Sequence, residues 1–102
     1  MRNIAISLDD LWMMVLSTVR YSMGRRSYIV GWCCDDLLKH YCEYLLDHQI
    51  VQIADEIERE LRFCEARGET LGTEIDHRRW KEATQWLKEQ IELREQEVIC
   101  KK

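Results

Sequence analysis

The sequence predicts an all-α fold: a compact four-helix domain with short connections, residues 1–102 forming one unit. Three observations predict it. The chain has no proline, and its four glycines fall in two pairs, Gly24 with Gly31 and Gly68 with Gly72, which punctuate long uninterrupted stretches. Within those stretches apolar residues return every three or four positions, as on one face of a helix. The segment SYIVGW, residues 27–32, has strand character but no second strand to pair with. A lone strand would leave its backbone donors and acceptors unsatisfied.

The first helix is expected over residues 8–22. Ser7 is placed to cap it, Asp9 and Asp10 suit the positive end of its dipole, and Leu8, Leu11, Trp12, Val15 and Val19 form its apolar stripe. Gly24 is the expected left-handed stop. A second, shorter helix over about 30–42 places Trp32, Cys33, Leu37 and Tyr41 on one face, with Asp35, Asp36 and Lys39 toward solvent. Asp47 offers a cap for the third helix, in which Ile50, Ile53, Ala54, Ile57, Leu61 and Cys64 line one side as far as Gly68. Glu58 and Arg62 stand there at the favourable i,i+4 spacing. GETLG, with a glycine at each end, connects to the last helix, begun at Thr73 or Asp76 and carrying Trp80, Ala83, Leu87, Ile91 and Arg94 on one face.

Composition narrows the function classes. Formal net charge is −4, so no global basic field is available to hold nucleic acid, and no helix has the clean basic face of a DNA reader. The acidity sits in residues 42–75, net −6, between flanks of +1 each. The apolar run near Leu11–Leu16 is too short to cross a bilayer and the N-terminus lacks a signal-peptide pattern, so no membrane contact is expected and the location is cytoplasmic. Five cysteines at irregular spacing fit reduced thiols better than a disulfide framework. Cys33, Cys34, His40, Cys42 and His48 crowd one region, but adjacent cysteines do not easily share one tetrahedral ion and no C-x-x-C pair occurs. Packed thiols explain them more simply, and no metal or other cofactor is expected. His40 and His77 lack the local arrangement that would make Cys34 or Cys42 a nucleophile, so the chain reads as no enzyme.

The segment RYSMGRRSY concentrates candidate binding chemistry: Arg20, Arg25 and Arg26 for the oxygens of a phosphorylated nucleotide, Tyr21 and Tyr28 for stacking on a base, Ser27 at the following helix start, and Gly24 for close approach. The competing reading is structural. Arg20 would cap the last carbonyls of the first helix, Arg25 and Arg26 would pair with the acidic third helix, and Ser27 would cap the second.

The pattern Arg-Tyr-x-x-Gly-Arg-x-Ser/Thr-Tyr, carried by Arg20, Tyr21, Gly24, Arg25, Ser27 and Tyr28, resembles one in small phage and prophage proteins of unsettled function. The resemblance brings no catalytic residues. It implies the cytoplasm of a bacterial host and an anti-defence role, by sequestering a nucleotide signal or by blocking a host defence protein. The second route, anti-CRISPR-like, would use the acidic helix face of Asp55, Glu56, Glu60 and Glu69, although Arg59, Arg62 and Arg67 dilute that charge.

Trp86 stands off the stripe of the last helix, and Leu93 widens the second surface it marks. A self-associating C-terminal helix, and hence a homo-oligomer, is the expected use of that surface.

Overall fold

The computed structural model describes residues 7–25 and 29–100, and the side chains of all of these except 25 and 98–100. Helix α1 spans Leu8–Arg25. Helix α2 is one rod in four consecutive pieces: α-helical turns Ile29–Trp32 and Leu38–Tyr41 either side of a π-helical turn Cys33–Leu37, then a 3-10 turn Cys42–Tyr44. Helices α3, Asp47–Ala66, and α4, Glu74–Cys100, complete the chain. No strand occurs among the described residues, and Ile29–Trp32 is helical, as the missing strand partner implies.

Ser7 caps α1 as expected, its Oγ accepting the Asp10 N–H at 3.1 Å. The helix then runs past its predicted end. Val15, Leu16, Val19, Ser22 and Met23 are all buried, whereas Leu8 is exposed and Leu11 and Trp12 only partly covered. With Ser22 and Met23 in the core, packing holds the last turn helical, and Gly24 lies inside α1 rather than at a left-handed stop.

The second helix departs furthest from expectation. Its buried residues Val30, Cys34, Leu38 and Cys42 repeat every four positions. On a regular helix each four-residue step overshoots a full turn by about 40°, so three steps would swing Cys42 roughly 120° away from Val30. The π-helical turn, closed by the Leu38 N–H on the Cys33 carbonyl five residues back, accommodates an extra residue and keeps the stripe facing inward. Both Cys33 and Cys34 are thereby buried, while Trp32, expected on the inner face, is exposed.

Asp47 does not cap α3. The cap is Leu46, in extended conformation, and its N–H donates to Gln49 Oε1 at 2.9 Å. Asp47 is the first helical residue, and Arg94 takes its carboxylate at 2.7 Å. At the far end Gly68 N–H reaches Glu65 O and Glu69 N–H reaches Cys64 O, closing the helix through a left-handed Gly68 (φ 70°). The start of α4 is a reciprocal box: Thr73 Oγ1 accepts the Asp76 N–H at 3.1 Å, and Asp76 Oδ2 accepts the Thr73 N–H at 3.2 Å.

Helices α3 and α4 lie antiparallel, buttoned by Glu65–Lys81, Glu58–Lys88 and Asp47–Arg94. Their shared core is Ile50, Ile53, Ile57 and Leu61 against Trp80, Ala83 and Leu87. The Cα trace measures 45 × 41 × 18 Å, a slab about two helices thick. A slab leaves each helix a free face, and Met13, Met14, Tyr21, Trp32, Tyr44, Phe63 and Leu93 are all exposed.

Candidate functional site

Of the nine-residue segment, the described structure brings Arg20 and Gly24 to one groove of ≈ 330 Å³ between α1 and α3, with Met23, Glu56, Arg59 and Glu60. Tyr21 is exposed on the neighbouring surface of α1. The Arg25 side chain and all of Arg26, Ser27 and Tyr28 lie outside the described residues.

Arg20 does not cap α1; within the groove its guanidinium is already engaged. Its Nε and Nη2 each donate to one oxygen of Glu56 at 2.8 Å, the two-pronged geometry a phosphate would otherwise take. Gln52 adds a third hydrogen bond to Glu56 at 3.0 Å. The Arg20 fork, assisted by Gln52, holds the Glu56 carboxyl below the usual glutamate range.

The acidic character of α3 is likewise taken up internally. Glu58 pairs with Lys88 at 2.6 Å and with Arg62 at 3.2 Å, Glu65 with Lys81 at 2.6 Å, and Glu69 with Arg67 at 2.8 Å. Of the predicted acidic face, Asp55, Glu60 and Glu69 are exposed, Glu69 in a pair with Arg67, and Glu56 is engaged by Arg20. His77 is a structural part rather than a bystander. Its Nδ1 accepts the Leu71 N–H at 2.9 Å, so the proton sits on Nε2, which donates to Glu65 at 3.1 Å and ties the α3–α4 connection to both helices.

Burial pushes the Cys33 thiol up to about 11, and it also raises Cys34 and Cys42. These thiols stay protonated at neutral pH and are poor nucleophiles. The fully buried Ser22 hydroxyl opposes that rise without cancelling it. Among the described residues no three His, Cys, Asp or Glu side chains are grouped to share a metal ion, and no helix is long and apolar enough to cross a membrane.

The other candidate surface, marked in the sequence by Trp86 and Leu93, is an open groove of ≈ 600 Å³ between the second half of α2 and the C-terminal half of α4. Trp86 is half-buried against the core, with the Lys39 ammonium 5.9 Å from its ring centre. Leu93 is 50% exposed. Trp86, Gln90, Leu93 and Glu97 line the groove at spacings of four, three and four, a straight seam along α4. Arg94 closes one end. Its guanidinium donates to the carbonyls of Cys42 and Leu45, both at 2.9 Å, and to Asp47, fixing the end of α2 to the start of α3.

Sequence reading identifies Trp86 and Leu93 but misses Lys39, Gln90 and Glu97. The 86-90-93-97 spacing carries the signal for the two on α4, while Lys39 joins only through the fold. No protein-family model matches the chain, and neither the curated proteins nor the solved structures contain a match to it. The arrangement offers an aromatic anchor, an aliphatic residue two turns further on and charges at either end, on a frame of two helices.

Proposed function

We propose that this chain is a non-catalytic binding protein whose working surface is the groove between α2 and α4. In the phage setting implied by the Arg20–Tyr28 motif, it acts against a host defence system by binding, and the groove is where it contacts polypeptide. The observation that carries this reading is the half-buried Trp86 with the half-exposed Leu93 two turns further on, both on one seam of an open groove. Trp, with its large apolar area and low conformational freedom, is the residue type that most often anchors a protein interface. The protonated, buried thiols support binding over nucleophilic chemistry.

Sequestration of a phosphorylated nucleotide at Arg20–Tyr28 is the weaker reading, because a phosphate would have to displace Glu56 from both nitrogens of Arg20. The test is a photo-activated cross-linking residue placed at Gln90, on the seam, and separately at Asp9, on the exposed start of α1, in cells producing the protein. A polypeptide adduct formed from Gln90 and not from Asp9 is expected. Equal labelling from both positions, or none from Gln90, refutes the groove as the working surface.

A further inference from the structure

We infer that the polypeptide seated in this groove is a second copy of the chain, its α4 running antiparallel across the first about a two-fold axis between Gln90 and Leu93. The inference rests on the reading of the groove as a protein-contact surface and names its occupant. Two charges point to it. Lys39 stands over Trp86 at one end of the seam and Glu97 lies at the other. Among the described residues neither has an ion-pair partner.

Trp86 and Glu97 are eleven residues apart on one helix, about 16 Å along its axis. Rotation by 180° about the midpoint of that span exchanges the two levels. The Lys39 ammonium of each copy then faces the Glu97 carboxylate of the other, twice per dimer. At the centre the same rotation lays Leu93 across Gln90 and Leu93 of the second copy, covering the half-exposed leucine. The pattern is self-complementary: one end cationic over an aromatic ring, the other anionic, an aliphatic residue between.

The shape agrees. The Cα radius of gyration is 14.9 Å, against about 13 Å for a compact domain of 100 residues. Helix α4, 27 residues against the 20 of α3, overhangs its neighbour by about 10 Å. A second copy laid along the seam would cover that overhang.

The test uses light scattering during size-exclusion chromatography, and sedimentation equilibrium, on the full chain. Wild type should run at twice the 12.4 kDa chain mass. Leu93→Glu should run at one chain mass with an unchanged circular dichroism spectrum, since Leu93 is half exposed. Lys39→Glu and Glu97→Lys should each weaken association by roughly tenfold, because each change sets like charges face to face at two symmetric places. The double swap Lys39→Glu with Glu97→Lys should restore association to within about threefold of wild type.

A wild type of one chain mass throughout the micromolar range would overturn the inference, as would a double swap no tighter than the single variants. The cross-linker at Gln90 separates the two levels. A self-adduct supports the dimer; an adduct only with a different protein overturns the dimer and leaves the groove as a contact surface; no adduct overturns both.

Discussion

Replacing Gly68 and Gly72 by alanine, one at a time, sets apart two costs that usually arrive together. Both glycines are left-handed, with φ of 70° and 84°, a conformation that disfavours an L-residue by about 1–2 kcal/mol. At Gly68 an added Cβ meets nothing within 4 Å, so the cost ends there, at about 1 kcal/mol. At Gly72 the same atom would stand 2.7 Å from Asp76 Oδ2 and 2.9 Å from Asp76 Cβ. Turning the carboxylate aside does not relieve a clash with Cβ, which the α4 backbone holds in place.

The Thr73–Asp76 box must therefore open, and losing a cap of this kind costs about 0.5–2 kcal/mol more. Gly72→Ala should thus destabilise by about 1.5–4 kcal/mol in total. With a urea dependence of roughly 1–3 kcal/mol/M, the two unfolding midpoints should separate by on the order of 1 M. Far-UV circular dichroism during urea titration, at one protein concentration, reads both. Equal midpoints, or a lower one for Gly68→Ala, would refute the argument from close approach.

Two further outcomes are expected. Because Arg20 holds the Glu56 carboxyl below the ordinary glutamate value of 4.5, the unfolded chain takes up that proton first on acidification. The stability gap between wild type and Glu56→Gln should be constant above about pH 5 and close as pH falls through and below 4.5; a gap persisting unchanged to about pH 3 would refute the pairing. In the thiols, Cys64 is half-buried while Cys33, Cys34 and Cys42 are buried with raised values. Peptide mapping after brief alkylation of the native protein should show Cys64 modified well ahead of the other three, and equal labelling of Cys33 would contradict the packing.

The helices were legible where their physics is local. The stripe of α3 and the Thr73 start of α4 follow from side-chain period and cap chemistry within a few residues. Gly24 misleads because glycine permits a left-handed turn without compelling one, and the burial of Ser22 and Met23 decides otherwise. Asp47 has the right type for a cap, but a residue 47 positions away, Arg94, claims it. The inward face of α2 was misread because its period of four belongs to no regular helix.

The candidate site divides the same way. Trp86 and Leu93 announce themselves by falling off the core stripe. Glu56 on Arg20, His77 under Leu71 and Lys39 over Trp86 are tertiary juxtapositions without a local signature.

The wide turn gives α2 one residue of slack. Asp35 and Asp36 within it are exposed, so exchanging either for another polar residue alters a wet surface and little else. Deleting one of them lets the turn close to a regular helix with Val30 still in line with Leu38 and Cys42, because seven regular residues turn through about 700°, close to two full turns. Closing the turn with both aspartates kept would instead swing Val30 about 100° out of line with Leu38 and Cys42. At these two places the chain tolerates a change of residue and the loss of one alike, while every other turn of α2 is held to its count by the buried faces on either side.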